Sequence, residues 1–118
     1  MTNPYNQNLD QNPANHQPLT PLTFLERAAS VFPDQVAIIH GDLRQNYLNL
    51  YTRSVKLSSA LNKAGIKRGD TVSALLPNTP AMLECHYGVP MSGAILHSIN
   101  TRLDPAVISF QLNHAESK

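Results

Sequence analysis

Few residues in the 118-residue chain have types that could do chemistry, and they are widely spaced. Cys85 and His86 stand side by side in "MLECHYG", and a thiol beside an imidazole is the usual nucleophile and base. The stretch reads as helix, however, and consecutive helical residues point in different directions, which is wrong for proton transfer between them. Cys85 is therefore expected to be a small buried hydrophobe. As the single cysteine it excludes an internal disulfide and any cysteine-rich zinc site. His16, His40, His97 and His114 are dispersed, with no H-x-x-x-H pair, so no metal centre is predicted. His97 lies in a β-rich run and is expected to be a hydrogen-bonded sheet residue rather than a general base.

A second group follows apolar runs. In "GDTVSALLPNTP", residues 69–80, a strand feeds directly into a helix through Pro77, Asn78, Thr79 and Pro80. In "AILHSINTRLD" a strand leads to Asn100 and Arg102. Both groups sit at the carboxyl end of a strand, where α/β proteins place their ligands. Asn78 is expected to bond nearby backbone as an Asx-type turn, with ligand contact as the lesser reading. Arg102 is expected to fix its connector through an ion pair or a backbone carbonyl, with an anionic ligand as the alternative. Gly88 and Gly93 are read as packing or termination glycines, not phosphate-loop glycines.

The elements that position these residues follow from periodicity. "PLTFLERAASVFPD" carries Leu22, Leu25, Ala29 and Phe32 at helical spacing. Its start is read as a capping box of Thr23 with Glu26, with Thr20 before Pro21 as the competing cap. "QVAIIHGD" and "RQNY" form a predicted hairpin, and a helix starting near Leu48 tracks Leu50, Ser54, Leu57, Leu61 and Ala64 until Gly65. From there the order is strand "TVSALL", helix "TPAMLECHYGVPMSG", strand "AILHSI", helix "PAVISFQLNHAES". That order requires parallel pairing with crossovers. Pro80 and Pro105 fit the first helical position, with Thr79 and Asp104 as expected caps, and Pro90 should kink or end its helix.

Residues 1–18 are rich in Asn, Gln and Pro and read as a flexible leader, with Tyr5 and Leu9 as contacts to the domain of residues 19–118. The leader has no apolar run, so neither a signal peptide nor a transmembrane segment is predicted, and the cytoplasm is the expected compartment. Nine Lys and Arg against eight Asp and Glu give a formal charge of +1 with no basic stripe, which argues against a nucleic-acid surface. Lys118 falls where the next parallel strand should begin, so the chain is expected to be the start of a larger α/β protein.

The ordered run "GD", strand, "PN", "P", helix, "GVPMSGA", "NTRL", together with "PLTPLTFLERAASVFPDQVAIIHGD", resembles the AMP-forming acyl-CoA synthetases of the adenylate-forming superfamily. The nearest branch is the one that acts on medium-chain, branched or aromatic carboxylates. The resemblance implies the truncated amino-terminal portion of a large parallel-sheet α/β domain, and a fatty-acid-type ligase with ATP, Mg²⁺ and coenzyme A as cofactors and a carboxylic acid as substrate. The family's phosphate loop, nucleotide-holding segments and lid lysine have no counterpart in these residues. No catalytic, cofactor-binding or metal residue is therefore assigned, and the isolated chain is expected to be inactive. "QNYLNL" departs from the family pattern, with only Tyr47 matching and Asn46 and Asn49 replacing the usual residues, and His97 stands at a variable position. Two other functions compete: an adenylating enzyme that loads a carrier protein, and a small non-catalytic α/β binding module.

Overall fold

Pro21 decides where the first helix starts. Its ring fixes a helical φ and its missing N–H costs nothing in a first turn, so Thr20 becomes the cap of α1 (Pro21–Val31). The Thr20 side chain accepts from the Thr23 N–H at 3.4 Å, and the Thr23 hydroxyl donates to the Thr20 carbonyl at 2.9 Å. The capping box of Thr23 with Glu26 does not form, because Thr23 already lies inside the helix. Leu25 and Ala29 are buried on one face, whereas Phe32 is the exposed C-cap and not part of that face.

The computed structural model describes residues 3–118, so residues 1 and 2 of the predicted leader lie outside it. After α1 come β1 (Val36–His40) and β2 (Leu43–Asn46), an antiparallel hairpin closed by Gly41 and Asp42. Tyr47 is not on the return arm. It opens α2 (Tyr47–Lys63), one residue ahead of the predicted start, because the Asn46 side chain accepts from the Asn49 N–H at 2.8 Å and caps the helix. At the other end Ile66 donates to Leu61 and Gly65 to Asn62, both at 3.1 Å, the paired bonds of a Schellman stop. Leu25, Ile38 and Leu50 form a core shared by α1, the hairpin and α2. Ala64, predicted on the buried face of α2, is exposed as its C-cap.

The second half is β3 (Thr71–Ala74), α3 (Pro80–Met91), β4 (Ile95–Ser98) and α4 (Pro105–His114). β3 and β4 pair in parallel, Thr71 opposite Ile95 through Ala74 opposite Ser98, as the crossover requires. Both strands are shorter than their apolar runs. Pro80 and Pro105 occupy the first helical turn as expected, but neither Thr79 nor Asp104 makes a side-chain cap bond. Thr79 turns instead to Pro77, whose carbonyl accepts from its N–H at 2.7 Å and its hydroxyl at 3.3 Å. Pro90 sits one residue before the last of α3, and Gly93 follows with φ 85°, a conformation open to glycine. Beyond α4, Ser117 forms a parallel bridge with Thr71, and the Lys118 N–H donates to the Thr71 carbonyl at 3.0 Å.

The described residues of the leader are not draped over the domain. Tyr5 is 85% exposed and Leu9 is exposed as well. Its order is local: Asn12 and Asn15 bond each other's backbone, the Asn12 N–H to Asn15 Oδ1 at 2.9 Å and the Asn15 N–H to the Asn12 carbonyl at 3.1 Å.

Candidate functional site

The carboxyl ends of β3 and β4 open side by side into a cleft of about 660 Å³. Leu76, Pro77 and Asn78 come from the β3 side, Ile99, Asn100 and Arg102 from the β4 side, and Met82 and His86 from α3. Asn78, Asn100 and Arg102, singled out separately in the sequence, are brought to one place. Their local roles differ from those predicted. Asn78 makes no side-chain hydrogen bond to a described residue, because the Thr79 bonds to Pro77 already hold the turn. Asn100 has the Asx role, its Oδ1 accepting from the Arg102 N–H at 2.9 Å. That bond fixes the connector through the backbone, and the Arg102 guanidinium stays exposed with no ion pair or carbonyl contact among the described residues. The cleft thus offers a cation and two amides above a floor of Leu76, Met82 and Ile99. Such a lining can seat an anion that carries apolar matter behind it.

A second hollow of about 490 Å³ adjoins it, lined by Pro21, Thr79, Leu83 and Tyr87 and sharing Asn78, Met82 and His86 with the first. Its wall is mostly apolar. His86 is fixed by its own helix, with Nδ1 at 2.8 Å from the Met82 carbonyl.

The remaining candidates are structural. His97 Nδ1 meets the Ser73 hydroxyl at 2.9 Å across paired strands, and Ser73 Oγ also meets Ser117 Oγ at 2.5 Å, as a sheet residue should. Cys85 is half-buried beside Glu84 in α3. Burial pushes its thiol up, and the Glu84 charge pushes it further, so it stays protonated and unreactive at neutral pH. Gly88 is a packing glycine: a Cβ there would lie 2.8–2.9 Å from the Leu57 side chain.

Sequence reasoning missed the ion pair between Arg53 of α2 and Glu84 of α3. One edge of the guanidinium engages both carboxylate oxygens, Nε donating to Oε1 and Nη2 to Oε2, the latter at 3.1 Å. The Glu84 side chain is only 10% exposed against 56% for Arg53, so the carboxylate is the buried partner. Its hydrogen bond first, and its charge second, raise the Arg53 guanidinium above its already high range. The partners are 31 positions apart, and no local signal links them.

The AMP-binding enzyme family matches residues 25–118. The chain belongs to that family. Among its relatives, this chain is 49% identical over 105 residues to a peroxisomal butyrate–CoA ligase of Arabidopsis thaliana, covering 89% of the chain and 18% of the relative. A peroxisomal benzoate–CoA ligase of the same plant is 46% identical over 105 residues, with the same coverage of 89% and 18%. The chain thus spans about a fifth of the length of the curated relatives it matches. Among solved structures, a Mycobacterium tuberculosis fatty acyl CoA synthetase superposes with a TM-score of 0.77 at 32% identity, over 81% of this chain and 20% of that one. The o-succinylbenzoate CoA synthetase of Bacillus subtilis, in complex with its acyl-adenylate, gives 0.75 at 26% identity over 80% and 25%. These likenesses establish the amino-terminal α/β portion of an adenylate-forming fold.

Proposed function

We propose that this AMP-binding chain is part of an ATP-dependent acyl-CoA ligase, which joins a carboxylate to coenzyme A through an acyl-adenylate and releases AMP and pyrophosphate. The reading is supported by the family match together with one observation, the cleft at the ends of β3 and β4 with the unpaired Arg102 at its rim. A carboxylate is a poor acyl donor until one oxygen becomes part of a phosphate ester, and ATP supplies that change. What residues 3–118 contribute is a wall: Arg102 attracts an anionic group, while Asn78 and Asn100 orient it by hydrogen bonds.

The residues fit an anion but not a metal. Among the described residues there is no group of three His, Cys, Asp or Glu that could hold a metal ion. We assign no catalytic residue here. We take the cytoplasm as the compartment and fatty-acid-type carboxylates as the substrates, although three of the relatives are named peroxisomal. Among the described residues no helix is long and apolar enough to cross a membrane.

Carboxylate-dependent exchange of labelled pyrophosphate into ATP tests the reading. The complete ligase should support exchange, and residues 1–118 alone should not. In the complete ligase Arg102→Ala should raise the KM for an anionic substrate roughly tenfold, the scale of one charged hydrogen bond. No exchange with any carboxylate would refute the ligase assignment, and an unchanged KM would remove Arg102 from the site.

A further inference from the structure

His86 stands where the polar cleft meets the apolar hollow and lines both. Its Nδ1 lies 2.8 Å from the Met82 carbonyl, and a carbonyl oxygen can only accept, so Nδ1 must carry the hydrogen. In the neutral ring that bond fixes the tautomer and leaves Nε2 with a lone pair. Nε2 has no partner among the described residues, and the side chain is exposed. Along the shared wall, Met82 is apolar and Asn78 can either donate or accept, so His86 is the one group there committed to accepting while neutral. A purely hydrocarbon chain crossing from hollow to cleft would leave Nε2 without a donor and strip it of water. A chain with an N–H or O–H at the crossing would satisfy it.

We infer that His86 is a specificity-determining residue, which selects a ligand whose apolar portion lies in the hollow, whose anionic portion faces Arg102, and which bears an amide N–H or hydroxyl between them. This rests on the ligase reading for the identity of the ligand and on the geometry for its chemistry. Two substrates of such a ligase could carry the donor: coenzyme A, through the amides of its arm, or a hydroxylated carboxylic acid.

The test uses the complete ligase with coenzyme A, butyrate and 4-hydroxybutyrate as probes. His86→Phe keeps a flat ring but removes the acceptor, and His86→Gln restores one. His86→Phe should raise the KM for coenzyme A or for 4-hydroxybutyrate about tenfold, the size of one net hydrogen bond. The KM for ATP should not move and that for butyrate should not rise, and His86→Gln should recover most of the loss. Which KM responds identifies the source of the donor. A change below twofold everywhere, an equal rise for all substrates, or a fall in kcat alone would overturn the inference in favour of a purely structural histidine. A second readout does not depend on ligase activity. Long-range proton–nitrogen correlation spectra of the wild-type protein should show the Nδ1-protonated tautomer of His86, and the Nε2 resonance should shift with coenzyme A or 4-hydroxybutyrate but not with butyrate. If no carboxylate supports pyrophosphate release, the ligase reading falls while these spectra still decide the role of His86. The opposite tautomer, or an Nε2 resonance indifferent to both donors, would refute it.

Discussion

Two residues on α3, Gly88 and Cys85, show how closely packing constrains single positions. A methyl at Gly88 would meet Leu57 Cβ, Cγ and Cδ2 at 2.8–2.9 Å, and because Cβ is fixed to the backbone, rotamer change alone cannot relieve it. Gly88→Ala should therefore destabilise the chain by about 1–3 kcal/mol, the usual range for overpacking. In a Leu57→Ala background only the share due to Leu57 Cγ and Cδ2 should vanish, because alanine keeps the Cβ, and urea denaturation of all four variants gives the coupling. The second case is Cys85. Its raised thiol pKa means that the folded chain holds the proton more tightly than the unfolded one, so stability falls as pH rises above the unfolded thiol's range. Alkylation at mildly alkaline pH should be slower than for a free cysteine. Glu84→Gln should speed it modestly, because the larger cause, desolvation, remains.

At the scale of the element, helix starts divide into capped and uncapped. Asn46→Ala removes a cap bond of 2.8 Å and should cost about 0.5–2 kcal/mol. Thr20→Ala breaks a longer bond of 3.4 Å and should cost less. Thr79→Ala and Asp104→Ala remove no cap bond and should cost least in the same thermal melts. This ordering marks what the sequence made legible. Proline at the first turn announced α3 and α4 correctly, and at α1 it marked the competing start that the structure adopts, because its effect is covalent and local. Which polar side chain would cap was misjudged at Thr23, Thr79 and Asp104, because each oxygen has competing acceptors or donors that depend on the turn before it. The strand–helix order and the convergence of Asn78, Asn100 and Arg102 were readable from parallel pairing. The Arg53–Glu84 pair and the tautomer of His86 were not, since both depend on where whole helices or a ring settle.

For the molecule as a whole, apolar cover is uneven. α4 has no buried residue, and Phe110, stacked on His114 at 5.4 Å, is 64% exposed. The hairpin likewise exposes Val36, Ile39 and Leu43. Native-state hydrogen exchange on residues 1–118 should therefore show α4 opening at much lower free energy than α2 and α3, whose facing sides carry Gly88, Leu57 and the Arg53–Glu84 pair. Equal protection of α4 and α3 would contradict this. The chain should also bind an apolar dye and associate with rising concentration.

The small bridge between Thr71 and Ser117 has a larger topological meaning. Thr71 pairs with Ile95 on one edge and with Ser117 on the other, so β3 lies between β4 and the segment that follows α4. The first crossover therefore steps outward from β3, and the second steps back across it in the opposite direction. Parallel crossovers are right-handed almost without exception, so two steps of opposite direction send their helices to opposite faces of the sheet. Beyond β3 the chain leaves toward one face, and beyond β4 toward the other. The strand order reverses between β3 and the segment after α4, and a reversal of that kind is the switch point at which open α/β sheets hold their ligands. The cleft between Asn78 and Arg102 lies on the β4 side of β3, so it follows from the parallel pairing of these two strands, and side-chain substitution there can change what it holds without closing it.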